Sequence, residues 1–372
     1  MRRRDLIRLS AAAAALPAMG ACAAQLPDAR AAWRNPGAGE TDPRRYALAW
    51  AILAPNPHNM QPWLADLHEP GVITLSLDPA RLLPMTDPFG RQITIGAGAF
   101  LELLRMAAAA IGWRASAEAL GGEAKTLPTG APLARVRFEP GASPDPLFVH
   151  ALARRTNREN FDARPVAQAV AEAVAAAAQS ELVQSQTTVL PAQLMRLANL
   201  AAEASVTEAH TPAAHGETCQ RTFIGAEEVA RHRYGISLEG PLIEVAHATG
   251  LLTRRTMATP GSFAYRQTIA MLTGEAQSAR GFLWLTTPGD ERADQIRAGA
   301  AYLRANLAAT GLGLAMQPQS QALQEYRAMA SAYAQAHQQL APSGGRVQML
   351  ARLGYAASPR PAPRRGLSNQ IV

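Results

Sequence analysis

Arg154-Arg155-Thr156-Asn157-Arg158-Glu159-Asn160-Phe161 places three guanidinium groups within five residues. Guanidinium forks bind phosphate oxygens in pairs, and the Thr156 hydroxyl adds a further donor. The same pattern also suits a solvated helix end. Earlier in the chain stands Ala54-Pro55-Asn56-Pro57-His58-Asn59-Met60-Gln61-Pro62-Trp63. Prolines at 55, 57 and 62 deny this segment regular structure and stiffen it. Held rigid, Asn59 and Gln61 present amide groups at fixed positions, which suits a flat heterocycle with alternating donors and acceptors. It suits equally a connector whose polar side chains satisfy neighbouring backbone.

Around these two segments the sequence predicts helices at 45–53, 93–111, 146–154, 291–310 and 319–340, with a helical stretch from Pro165 to about Arg233 broken near Pro191 and Pro212. Strands are expected at 63–67 and 72–77, a hairpin around Glu69-Pro70-Gly71, and at 134–138, 282–286 and 347–355. Scattered strands among more numerous helices make an α+β pattern rather than a strict βαβ alternation. A long helix ending in a glycine-containing apolar turn occurs at 97–113 and again at 298–316, which suggests that one architectural half is repeated.

Two further segments carry candidate chemistry. Gly311-Leu312-Gly313-Leu314-Ala315-Met316-Gln317-Pro318 would let backbone approach a flat ligand closely. It lacks the dinucleotide fingerprint of a Rossmann fold. The tail beyond Arg346 contains Arg352, Arg360, Arg364 and Arg365 and no acidic residue, while Pro359, Pro361 and Pro363 keep it extended. His210, His215 and Cys219 follow no standard zinc spacing, and no metal is expected.

The chain opens with Arg2-Arg3-Arg4-Asp5-Leu6-Ile7-Arg8-Leu9-Ser10, then an alanine-rich apolar run and Cys22. This is the pattern of a twin-arginine export signal spanning residues 1–24, with an imperfect lipoprotein box at Cys22. The expected compartment is the periplasm, with export through the twin-arginine machinery and membrane attachment only through a lipid on Cys22. No later stretch is expected to span a bilayer. The chain has 36 basic and 29 acidic residues, and Lys125 is its single lysine. Without the charges of the signal, the net excess of +7 falls to about +4. So mild an excess, with no basic patch interleaved with aromatics, argues against a nucleic-acid partner. Cys219 then has no cysteine to pair with, so stability rests on the core.

The ordered set of Ala54–Trp63, Arg154–Arg158, Gly311–Pro318 and the tail from Leu353 to Arg365, with Asp87-Pro88-Phe89-Gly90-Arg91-Gln92-Ile93-Thr94-Ile95-Gly96-Ala97-Gly98, resembles the FMN-binding nitroreductase superfamily, in particular its Acg-like branch. The resemblance implies an α+β nitroreductase-like fold with a central mixed or antiparallel sheet surrounded by helices. It further implies two pseudo-repeated halves in one chain that mimic the family homodimer: a linker at 25–44, a truncated first half at 45–150 and a second half with the basic tail at 151–372. The expected assembly is a monomer holding one FMN. By this resemblance Arg154, Arg155, Thr156, Asn157, Arg158, Arg360 and Arg364 reach phosphate or ribityl oxygens. Pro57, His58, Asn59 and Gln61 meet the ring from the other half, and Met316, Gln317 and Pro318 complete the site. No protein acid or base is implied.

The function expected from these readings is an exported FMN-dependent oxidoreductase that passes electrons to a small acceptor such as a nitroaromatic or a quinone, from a donor the sequence does not name. The alternatives are a flavin-sequestering protein whose segment near 216–242 covers the ring, and a cofactor-free periplasmic binding protein.

Overall fold

The computed structural model describes residues 26–120, 125–126 and 128–372; the export signal, the lipidation cysteine Cys22 and the first linker residue lie outside the described residues. Helix α1 (Pro43–Ala51) starts where the Asp42 carboxylate accepts the Arg44 amide at 2.8 Å and Pro43 supplies the preset first-turn φ. The chain then passes through the proline loop into strands β1 (Trp63–Asp66) and β2 (Val72–Leu77), paired antiparallel. Helix α2 (Arg91–Ala110) follows, with the Asp87 carboxylate accepting the Gln92 and Ile93 amides at 3.1 and 2.9 Å. Strands β3 (Trp113–Ala119) and β4 (Ala134–Pro140) complete an antiparallel sheet of order β1-β2-β4-β3.

The second half repeats this plan with a larger insertion. Helix α3 (Gln168–Ala178) and strand β5 (Gln184–Thr188) precede α4 (Pro191–Ala209) and α5 (Pro212–Gln220). Then come β6 (Thr222–Ile224), α6 (Ala226–His232), β7 (Ile236–Leu238), α7 (Pro241–Ala248), α8 (Arg254–Ala258) and α9 (Phe263–Gln277). Strand β8 (Gly281–Thr287), helix α10 (Arg292–Gly311), strand β9 (Ala315–Pro318), helix α11 (Ala330–Leu340) and strand β10 (Arg346–Gly354) close the fold. The second sheet is antiparallel with order β5-β8-β10-β9, and β6 and β7 form a small parallel pair. The α+β class and the antiparallel sheets are those expected.

The two halves meet where α2 crosses α10. A Cβ built on Gly98 would fall inside the van der Waals envelope of the Ile296 carbonyl, and one on Gly299 inside that of the Ile95 carbonyl. The contact is reciprocal: Ile95 and Gly98 stand in α2 as Ile296 and Gly299 stand in α10. A two-fold axis generates such a contact, here between two parts of one chain. Both helices end in a positive-φ glycine, Gly112 and Gly313, that turns the chain into a strand. By length and composition α2 could cross a bilayer, which the sequence reading had missed, yet it is almost entirely buried between α1, β3 and α10.

Several expectations need correction. Residues 146–154 form a short 3-10 helix and hydrogen-bonded turns rather than a regular helix, and beyond them Asn157 donates its amide to the Met316 carbonyl (3.1 Å), which holds the arginine segment on β9. The helix expected over 319–340 begins only at Ala330. Before it, Gln319 pairs its amide with the Leu350 carbonyl at 2.7 Å and Gln324 turns inward toward Glu208. Pro191 and Pro212 start helices rather than merely interrupting one. Strands β3 and β5 were missed: both lie at sheet edges, and Gln184–Thr188 contains no apolar residue.

Substituting Gly98 or Gly299 by alanine is expected to destabilise the protein by about 2 kcal/mol or more, since only backbone faces the new methyl group. Gly216, inside α5 with open space around its Cβ position, is the control, and its alanine variant is expected to gain about 0.5–1 kcal/mol. Thermal denaturation of the three variants checks both signs.

Candidate functional site

The proline loop is held in an unusual shape. His58, Asn59 and Gln61 all adopt positive φ, at 47°, 54° and 51°, a conformation that side-chain-bearing residues rarely take. Such strain persists only where the surroundings fix it. Here Asn56 accepts the Gln61 amide at 2.8 Å, and Gly96 has no side chain to push Pro57 and Asn56 off α2. The loop forms one wall of a solvent-open cleft lined by residues from both halves of the chain.

Of the residues expected at a ligand, Pro57, His58, Thr156, Arg158, Gln317 and Pro318 line this cleft. Asn59 and Gln61 do not, which corrects the expectation that they face a ring. The Asn59 amide donates to the carbonyls of Gly235 (3.2 Å) and Pro363 (3.0 Å). Fully buried Gln61 donates to Arg233 and accepts the Arg365 amide at 2.8 Å. With φ positive at both Asn59 and Gln61, the loop turns these amides toward the C-terminal tail. Asn157 and Met316 are also structural here, the Asn157 side chain bonding the Ala357 carbonyl at 2.9 Å.

The arginines divide. Arg154 and Arg364 are buried and donate to Asn306 and to the carbonyls of Leu53 and Ala54. With Arg155 they surround the Trp33 ring at 4.9–5.9 Å, and none of the three has a carboxylate partner among the described residues. Burial pushes the Arg154 guanidinium down to about 10, and burial with repulsion from Arg154 and Arg155 pushes Arg364 well below its usual value. Arg360 is exposed and away from the cleft. Arg158 is different: it lines the cleft and makes no hydrogen bond or ion pair among the described residues.

Three residues that the sequence reading did not single out matter here, Tyr302, Thr218 and Glu208, together with Arg352 of the basic tail. Tyr302 on α10 lines the cleft with its hydroxyl buried and unpartnered, and Arg154 also has a buried, unpartnered Nε. Arg352, fully buried, donates to Gln317 at 2.5 Å and to the Glu159 carbonyl at 2.8 Å, while Gln317 donates to Glu275 at 2.6 Å. It therefore braces β9 and the arginine segment together. Thr218 and Glu208, from the insertion, line the cleft beside His58 of the proline loop. Nothing in the pattern of an alanine-rich helix or a mixed polar loop marks these positions. Among the described residues no cluster of histidine, cysteine or acidic side chains is arranged to hold a metal.

The positions matching this cleft under the repeat form a second groove. Ile95, Gly96 and Ala99 line the cleft, whereas Ile296, Arg297 and Ala300 line the groove. Leu101 stands where Tyr302 stands in the cleft. The groove also holds Glu102, locked to Arg105 and Arg304 at 2.7 and 2.9 Å. One site offers unpaired positive charge; its counterpart offers a neutralised ion-pair network.

Fold and cleft thus define an α+β protein built from two related halves, with one polar, cationic site between them. The chain belongs to the nitroreductase family, whose sequence model matches residues 151–355. It is 28% identical over 339 residues, 88% of this chain and 90% of the relative, to a Mycobacterium tuberculosis protein provisionally named NAD(P)H nitroreductase Rv3131. Over 80 residues, 21% of this chain and 23% of the relative, it is 41% identical to the M. tuberculosis protein provisionally named NAD(P)H nitroreductase acg. A solved structure of the FMN-dependent nitroreductase NfnB from Mycobacterium smegmatis with NADPH aligns over 58% of this chain and 92% of its own, at 19% identity and a TM-score of 0.35, too slight a likeness to argue from.

His58 provides a direct check of the cleft's electrostatics. Burial, then Arg158 and Arg221, push its imidazole down to about 4. A histidine that is harder to protonate when folded favours the native state less as pH falls from its ordinary value near 6.5 through 4. NMR titration of its ring resonances is expected to give a midpoint near 4, and a midpoint above 6 would contradict this environment.

Proposed function

We propose that this chain is an FMN-dependent oxidoreductase of nitroreductase type, holding one FMN in the cleft between its halves and passing electrons to a small acceptor. One observation carries this reading: Arg158 lies in the cleft without a counter-ion, beside a Tyr302 hydroxyl that is buried without a partner. Arg158 is exposed and solvated, so its charge stands ready for an anion, while the orphaned buried hydroxyl is costly unless a ligand satisfies it. FMN fits this donor set, because its phosphate and ribityl oxygens are acceptors. Thr156, Arg158 and Tyr302 would hold those oxygens. Pro57, His58 and Pro318 would wall the ring, and Gln317, braced by Arg352, would present its amide.

The flavin supplies the two-electron chemistry, and the protein contributes position, charge and exclusion of water. Positive charge from Arg158 favours an anionic reduced ring. A quinone or nitroaromatic is the acceptor class proposed, and a reduced nicotinamide is the donor suggested by the names of the mycobacterial relatives. The second groove, with Glu102 set in an ion-pair network, argues for a single flavin per chain. Export by the twin-arginine route into the periplasm, with a lipid on Cys22 as its variant, belongs to the same reading and rests on residues 1–24. Operation as a monomer follows because both halves of the site come from one chain.

A second reading, flavin sequestration, is favoured by the insertion. Thr218 and Ile236 wall the cleft, and Gly235 is tied to the proline loop through the Asn59 carbonyl at 3.0 Å. A cover fixed in this way limits access to the ring.

Protein purified from its native compartment is expected to be yellow and to hold about one FMN per chain. Arg158→Ala is expected to weaken FMN binding by about tenfold or more, from the loss of a charged hydrogen bond. A colourless protein that takes up no FMN would refute the proposal. Bleaching by NADPH supports turnover, whereas bleaching by dithionite alone supports sequestration.

A further inference from the structure

A hydrogen-bonded chain runs from the floor of the cleft into the insertion. His58 Nε2 lies 3.0 Å from the Thr218 hydroxyl, which lies 2.8 Å from Glu208 Oε1. The other carboxylate oxygen accepts from Gln324 at 2.9 Å, and the Tyr326 hydroxyl donates to Gln324 at 2.9 Å. His58, Thr218, Glu208 and Gln324 all line the cleft. Glu208 is buried, and it forms no ion pair among the described residues. His58 Nδ1 has no hydrogen-bond partner among the described residues. The chain thus ends at the cleft in a ring nitrogen free to meet a ligand.

We propose that Glu208, Thr218 and His58 form a relay that delivers one proton to the acceptor in the cleft. The proposal rests on the oxidoreductase reading above. A quinone carbonyl or nitro group that gains two electrons and one hydrogen is left with a negative oxygen, and a proton must reach it. With Glu208 protonated, its O–H donates to Thr218, the Thr218 hydroxyl donates to His58 Nε2, and Nδ1–H faces the acceptor. One concerted shift moves the Nδ1 proton to the acceptor oxygen, the threonine proton to Nε2 and the carboxyl proton to the threonine. The result is neutral His58 carrying its proton on Nε2, an intact hydroxyl and a Glu208 carboxylate. Once the product leaves, solvent returns a proton to His58 Nδ1, and the reverse shift from Nε2 through Thr218 restores the Glu208 carboxyl, so atoms and charge balance.

The surroundings suit both ends. Burial raises Glu208 above the ordinary carboxyl range, partly offset by bonds from Thr218 and Gln324. His215, Glu217 and Cys219 on α5 and Tyr326 face it. His58, faced by Arg158 and Arg221, stays neutral, as a relay ring must. Because the working form of Glu208 is protonated, proton delivery is lost as pH rises through its raised value.

Two measurements test the relay. The first uses the protein before FMN is added, with 15N-labelled histidine. His58 is expected to change from the Nδ1–H to the Nε2–H tautomer as Glu208 ionises, and Thr218→Val is expected to abolish that change. A tautomer that ignores pH in the unaltered protein overturns the relay. The second loads the protein with FMN, reduces it stoichiometrically and mixes it with 1,4-benzoquinone in a stopped-flow instrument. Glu208→Gln and Thr218→Val are expected to slow reoxidation about tenfold to a hundredfold and remove its alkaline fall, with FMN affinity within about twofold and Thr218→Ser recovering most of the loss. Unchanged rates and pH profile in variants that bind FMN overturn the relay alone. Failure of the unaltered protein to bind FMN, read in the titration before any rate, overturns the oxidoreductase reading and the relay's role with it.

Discussion

The close approach of α2 and α10 at Gly98 and Gly299 is the constraint on which the rest depends. Two helices whose backbones touch cannot rotate or slide without driving a carbonyl into its neighbour. Their register is therefore fixed, and so is the relation of the two sheets. One turn before the crossing on α2 stands Ile95, and one turn after it on α10 stands Tyr302; both line the cleft. The same geometry, applied the other way round, makes the groove around Ile296 and Leu101. A near-symmetric scaffold thus yields two grooves, and side-chain chemistry decides which can receive an anionic ligand.

Charge is distributed to match. Arg154 and Arg364 donate to backbone carbonyls, and Trp33 packs against them with its indole nitrogen bonded to the Ala362 carbonyl at 2.8 Å. The Arg364 amide in turn bonds the Ala29 carbonyl at 2.8 Å. The tail is consequently fastened by the proline loop and by residues 29–33, so both ends of the described chain support the same wall. Arg158, left unpaired, is the charge that remains for a ligand. Arg158 is exposed to solvent, whereas the buried Arg154 and Arg364 are tolerable without a counter-ion because hydrogen bonds compensate them.

Much of this was legible in the sequence, for identifiable reasons. The repeat could be read from two alanine-rich helices each followed by a glycine turn, since αL glycines leave a clear mark. Segments 54–63, 154–158 and 311–318 do meet, and eight of the residues lining the cleft come from them. What could not be read was the direction of each side chain. Asn59 and Gln61 look like ring-facing amides until the left-handed backbone turns them toward Pro363 and Arg365. Arg364 looks like a phosphate ligand until it is seen bonded to Leu53 and Ala54. Tyr302, Thr218 and Glu208 sit in segments whose composition is ordinary, and only the packing of the insertion brings the last two beside His58.

A crystal structure of the protein grown with FMN tests this picture most directly. One flavin per chain is expected, lying between the Pro57–His58 wall and Thr156, Arg158 and Gln317, with the groove at Leu101 and Glu102 empty. Flavin bound at an interface between two copies of the chain, or in both grooves of one copy, would contradict it.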